Sequence, residues 1–306
     1  MGLFKSHCTM INSAYVKGIS CFLMSLLVCE TNDVITKFLG NTLTPLQVVF
    51  GRYLLSTIVL LPLVIYHSKS VTLRYFPANC VRGLILFFGM FIWCYGLDES
   101  QLSIACLINF TTPMFTLLLA ALLLKEKIGR CRIIATLLGF LGVAVVLNPW
   151  TATFSVGSAS IFLASAICFA LLDVINKILV SKESILSSLF STSLVTLIFT
   201  AVAIILQSGT ESIASIFQAD LTTITLLCCL GIGANLLFWL ILLAFKYIDV
   251  SATAPFRYVE LILASVYGHF IFNESIHANV VWGSFIIVPC AIYLANLEAH
   301  KSTHCC

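Results

Sequence analysis

The chain of 306 residues is 60% hydrophobic and only 9% charged, with a mean hydropathy of +1.07. A soluble domain carries about a quarter of its residues as charges, so a water-soluble globular fold is excluded and an integral membrane protein is expected. The formal net charge of +3 decides little; where the charges fall decides more.

A membrane-spanning helix needs roughly 20 mostly apolar residues. Ten such spans are predicted, at 15–37, 44–66, 79–97, 101–124, 130–148, 157–180, 185–207, 221–245, 250–272 and 278–297. Runs such as "ATLLGFLGVAVVLNP" lack the polar–apolar alternation of a membrane β-barrel. The fold class is therefore all-α, a polytopic membrane protein. "MGLFKS" fits the Met-Gly-x-x-x-Ser acylation pattern, but a spanning protein needs no lipid anchor. The cysteines are scattered through apolar runs without C-x-x-C pairing, so small buried hydrophobes are expected, with no metal site and no cofactor.

In chain order, the first span carries Glu30, Asp33 and Lys37 at i, i+3 and i+7, one face of a helix. The second carries Arg52 between Phe50 and Tyr53. The fourth carries Asn109 and Phe110 before Thr112-Pro113, and closes on "LLLKEK" with Glu126. The sixth contains "LLDVINKILV", with Asp173, Asn176 and Lys177. The ninth reads "APFRYVELILASVYGHFIFNES", placing Phe256, Arg257, Tyr258 and Glu260 near Pro255 and ending at Glu274. A charge at mid-membrane costs about 2.5–3.5 kcal/mol on insertion scales, so each such residue is a candidate functional group.

Each has a plainer reading too. Asp33–Lys37 and Asp173–Lys177 fit i,i+4 ion pairs that neutralise themselves. Lys177 alone fits a snorkelling lysine. Arg52 fits a partner for a first-span carboxylate, Asn109 a polar contact between helices, and Glu126 and Glu274 caps or loop braces. Glycines 139 and 142 fit close helix contact. Aromatics beside charges, Tyr53, Phe110, Phe256 and Tyr258, fit packing as well as stacking on a planar or cationic ligand.

Lysines and arginines gather at one set of span ends: Lys17, Lys69, Arg74, Arg82, Lys125, Lys127, Arg130, Arg132, Lys182, Lys246 and Lys301. The other ends carry Asp98, Glu99, Glu211, Asp220 and Glu274. Positive residues mark the cytoplasmic side, so both termini, 1–14 and 298–306, are expected in the cytoplasm and the chain in the cell inner membrane.

The chain also repeats itself. Asp-Val-Ile-x-Lys occurs at 33–37 and at 173–177. At an offset of 148, Ser103 aligns with Ser251, Asn109 with Arg257, Thr112 with Glu260, and Glu126 with Glu274. Two repeats of five spans, 15–148 and 157–297, must lie oppositely in the membrane because five is odd. Inverted repeats of this kind build secondary transporters.

On these features the chain resembles the EamA family of the drug/metabolite transporter superfamily: ten spans, two five-span halves, a Glu closing the fourth span of each half, and Thr112-Pro113 before Glu126. Glu260-Leu261 departs from the Glu-Pro of many members. The ninth-span segment also resembles the S-adenosylmethionine uptake carriers of obligate intracellular bacteria. The resemblance implies uptake of S-adenosylmethionine, with exchange for S-adenosylhomocysteine as the implied mode. The residues themselves require only a zwitterion, so an amino acid fits as well.

The candidate binding residues are Glu30, Asp33, Arg52, Tyr53, Asn109, Phe110, Asp173, Phe256, Arg257, Tyr258 and Glu260. No P-loop, G-x-S-x-G or H-E-x-x-H pattern is present, so no enzyme is expected. The expected partners are a small-molecule substrate and membrane lipid, not nucleic acid. An exporter of amino acids or drugs with the same fold, and a non-transporting membrane scaffold, are the alternatives.

Overall fold

A computed structural model of the chain describes residues 13–40, 42–67, 75–99, 108–147, 156–209, 211–273 and 278–301. The helices are α1 Ser13–Leu39, α2 Pro45–Tyr66, α3 Phe76–Glu99, α4 Thr112–Leu123, α5 Arg130–Leu147 and α6 Val156–Val180. They continue with α7 Ile185–Ser208, α8 Glu211–Phe217, α9 Leu221–Tyr247, α10 Val250–Thr253, α11 Val259–Phe272 and α12 Ala278–Lys301. No strand occurs among the described residues. Eight of these helices are long and apolar enough to cross a membrane. The chain is an all-α polytopic membrane protein.

Two predicted spans differ from a continuous helix. The fourth has a turn at Phe110 and Thr111, after which helix α4 runs for 12 residues. The ninth is broken: α10 passes into a 3-10 turn, Ala254–Tyr258, before α11 resumes. Pro255 supplies the reason, because its ring and missing N–H remove the i→i−4 bond that would continue α10. The short α8 lies between the seventh and eighth spans and was not expected.

Local chemistry sets several helix starts. Thr44 caps α2 in a capping box: Gln47 N–H donates to Thr44 Oγ1 at 3.4 Å, and Thr44 N–H to Gln47 Oε1 at 2.9 Å, with Pro45 opening the helix. Gln47 Nε2 also reaches the Ser212 carbonyl at 2.9 Å, which ties α8 to the head of α2.

The main helix contacts run between the two halves of the sequence. α1 packs on α9, and α3 on α6; α2 packs on α7 and α9, α3 on α7, α4 on α6, and α5 on α12. Numbered as spans, these pairs are 1–8, 3–6, 2–7, 2–8, 3–7, 4–6 and 5–10. Exchanging each span with the one five places on turns 1–8 into 6–3 and 2–8 into 7–3. It returns 2–7 and 5–10 to themselves and turns 4–6 into 9–1, a contact made by α11 with α1. Lys125 and Asn273, the non-glycine residues with positive φ (56° and 53°) among the described residues, are likewise 148 positions apart.

Close approach is bought by glycine on α5. A Cβ at Gly142 would lie 2.7 Å from Ile287 Cγ1 and 3.2 Å from the Gly283 carbonyl of α12. The outer surface is apolar, with Ile65, Leu122, Leu141, Phe270 and Phe285 exposed. In water this would be an aggregation surface; against lipid it is neutral.

Candidate functional site: a charge cluster inside the bundle

Four helical segments and the 3-10 turn bring charges together. Asp173 of α6 and Arg257 of the turn form an ion pair, Oδ2 to Nη2, at 3.0 Å. Their side chains are 6% and 20% exposed, so the pair is largely shielded from water. The Phe22 ring of α1 lies 6.0 Å from the Arg257 guanidinium carbon, within cation–π range.

Above this pair, the Cys29 thiol of α1 donates to Glu260 Oε1 of α11 at 3.4 Å and lies 4.0 Å from Asp33 Oδ2. The ligating atoms of Cys29, Asp33 and Glu260 all fall within 4.8 Å of one another. Glu30 is buried one turn below Asp33, whereas Asp33 is exposed. The positive charge of Arg52 on α2 reaches both Asp33 and Cys29, and its Nε has no hydrogen-bond partner among the described residues. Four carboxylates therefore face two guanidiniums.

Of the residues singled out from the sequence, Glu30, Asp33, Arg52, Asp173, Arg257 and Glu260 share this cluster. The neighbouring aromatics do not. Tyr53 is buried with Val49, Leu86 and Leu172. Phe256 is buried among Tyr15, Ile19, Leu26 and Leu294. Tyr258 is buried with Val143, Leu261 and Ile287, its ring against Gly139 and 6.3 Å from that of Phe110. A residue next to a charge on a helix points about 100° away from it, so adjacency in sequence put these rings in the wall. Asn109 Oδ1 is buried without a hydrogen-bond partner among the described residues.

The second Asp-Val-Ile-x-Lys is not a self-neutralised pair. Asp173 turns to Arg257, while Lys177 Nζ donates to the Phe245 and Ile248 carbonyls at 2.7 and 2.6 Å, the open end of α9.

Two of the basic residues counted at span ends are buried between helices. Arg82 is buried on α3, donating to Thr192 Oγ1 at 2.6 Å, to the Ser188 side chain and carbonyl, and lying 4.0 Å from Glu183. Asn79 Nδ2 holds the other Glu183 oxygen at 2.9 Å. Arg132 is buried on α5, its Nη1 donating to Asp249 at 3.2 Å and to Ser251 Oγ at 2.6 Å. Each arginine stands inside its helix and satisfies its donors on the other half of the chain, which makes burial tolerable.

Glu126 is the brace that the sequence implied. Its carboxylate accepts from the backbone N–H of Val250 and Ser251, both at 3.1 Å, and from Ser251 Oγ at 2.6 Å. Glu274 lies outside the described residues. Beside these contacts the side chains of Leu60, Val180, Leu189, Leu242, Phe245 and Val250 form a buried apolar cluster.

A membrane-spanning helical bundle with a charge cluster between its helices has the build of a secondary transporter. The chain belongs to the EamA-like transporter family, whose model matches residues 16–148 and 157–296. The chain is 39% identical over 285 residues to the S-adenosylmethionine uptake transporter of Rickettsia felis, covering 93% of this chain and 94% of that one. The protein of the same name from Rickettsia conorii is 40% identical, with 93% and 94% covered. A riboflavin transporter of Brucella anthropi is 25% identical, over 83% of this chain and 89% of its own. A solved crystal structure at 18% identity superposes with a TM-score of 0.79, covering 94% of this chain and 98% of the other, and shares the fold.

Proposed function

We propose that this chain takes up S-adenosylmethionine across the cytoplasmic membrane by alternating access, in exchange for S-adenosylhomocysteine. The observation that carries the reading is the convergence of the Cys29 thiol and the Asp33 and Glu260 carboxylates near the Arg257–Asp173 pair. S-adenosylmethionine carries one carboxylate, one ammonium and one sulfonium, a net charge of +1. In this reading Arg257 releases Asp173 and takes the substrate carboxylate in a charge-assisted contact. The two cationic groups lie among Glu260, Glu30 and Asp33. The net positive charge of the ligand then offsets part of the surplus of carboxylates over guanidiniums. A planar neutral ligand such as a flavin would leave that surplus uncompensated.

The two halves act as inverted repeats, 15–148 and 157–297, rocking about this cluster. The positive-inside rule puts the basic end and both termini in the cytoplasm, so Asp33 is reached from outside.

The test is uptake of labelled S-adenosylmethionine by bacteria expressing the chain, against empty-vector cells, with a chase of unlabelled S-adenosylmethionine or S-adenosylhomocysteine. Saturable uptake with label leaving on the chase is expected. No uptake by protein shown to be in the membrane would remove the substrate assignment.

A further inference from the structure

Arg257 does not stand on a continuous helix. It sits in the 3-10 turn between α10 and α11, and a stretch of 3-10 within a helix marks a hinge. What lies on the basic side of that hinge is packed without slack. Val250, Ser251, Ala252, Thr253, Ala254, Phe256 and Tyr258 are all buried. A segment with no free volume transmits a displacement at one end to the other.

Its far end is held by the first half of the chain. The Glu126 carboxylate takes three hydrogen bonds from Val250 and Ser251, and Arg132 binds both Ser251 Oγ and Asp249. Glu126 is itself turned into place by Lys125, whose φ of 56° is uncommon for a side-chain-bearing residue. The Glu126 N–H reaches back to the Ala120 carbonyl at 3.2 Å. At the other end of the segment, next to Arg257, the Tyr258 ring packs against Gly139 of α5.

We infer that Glu126 is a positioning residue for substrate recognition: by fixing residues 250 and 251 it sets the depth of Arg257 in the charge cluster. The inference rests on the proposed reading, in which Arg257 receives the substrate carboxylate. Glu126 touches no substrate; it acts through seven residues of packed backbone.

The test is binding of labelled S-adenosylmethionine to the purified full chain, competed by unlabelled S-adenosylmethionine and by its decarboxylated analogue. The analogue keeps both cationic groups and lacks the group Arg257 would hold. Glu126→Ala is expected to weaken S-adenosylmethionine about tenfold, the scale of a lost hydrogen bond to a charged group. It should leave the analogue within about twofold. Arg257→Ala should lose the same discrimination, and the double variant should be no worse than Arg257→Ala alone, because both act on one contact. Should Glu126→Ala fail to reach the membrane, Ser251→Ala removes one of the three bonds and should show the same bias in smaller measure. Equal weakening of both compounds, or of neither, overturns the inference. A wild-type chain that binds neither compound overturns the substrate reading beneath it.

Discussion

Asp173 and Arg257, 84 residues apart, meet at 3.0 Å, while the lysine one turn from Asp173 is engaged elsewhere. In the proposed reading that pair is exchangeable: among the described residues Arg257 is hydrogen-bonded by one carboxylate, which the substrate carboxylate replaces. Removing one member of a largely buried pair leaves the other uncompensated, at a cost of about 3–5 kcal/mol in full burial. Asp173→Asn should therefore lower the melting temperature of the ligand-free protein. It should also enlarge the rise in melting temperature on adding S-adenosylmethionine, because the ligand no longer competes with Asp173. Thermal unfolding in detergent, with and without ligand, measures both; a ligand-induced rise smaller than that of the wild type would contradict the exchange.

Arg257→Ala and Glu260→Gln test the cluster directly. Both side chains are partly accessible within the bundle, and neither lies in an apolar core cluster. Each variant should insert normally, as shown by its amount in the membrane fraction, and lose S-adenosylmethionine uptake. Normal uptake by either would remove that residue from the site.

The span pattern was legible because it is written locally, in hydropathy. The Glu126 brace was legible for the same reason: a carboxylate closing a span has few uses. Pairings across the halves were not. Arg82 and Arg132 counted with the charges at span ends, since a tally of basic residues ignores whether each faces water or a neighbouring helix. Cys29 read as a small hydrophobe, and only the approach of Glu260 shows its thiol facing the charges. Phe22 sits far from any charge in sequence, yet its ring is the one beside Arg257. Tyr53, Phe256 and Tyr258 misled in the opposite sense, through adjacency.

The Gly139–Tyr258 contact predicts a substitution whose effect comes from bulk alone. A Cβ at residue 139 would overlap the Tyr258 ring, and overpacking of this kind costs about 1–3 kcal/mol. Gly139→Ala should lower thermal stability and displace the turn bearing Arg257, reducing uptake. Tyr258→Leu in the same chain should restore part of both by making room. If Gly139→Ala leaves melting temperature and uptake unchanged, the helices relax around the methyl group and the contact does not position the turn.

The excess of carboxylates gives a prediction about choice between ligands. S-adenosylmethionine and S-adenosylhomocysteine differ by the sulfonium methyl, so they differ by one positive charge with nearly the same shape. Two unit charges about 7 Å apart interact by roughly 2 kcal/mol at an effective dielectric of 20. Solvent screening reduces this most for the exposed Asp33 and least for the buried Glu30. Glu30→Gln should therefore cut the preference for the sulfonium over the thioether about tenfold, and Asp33→Asn by about threefold. Affinity for the thioether itself should change little. Competition binding with both compounds reads the ratio directly. A ratio unmoved by either variant would mean that the sulfonium does not lie among these carboxylates, while a loss of affinity shared equally by both compounds would place Glu30 and Asp33 in binding the common ammonium group.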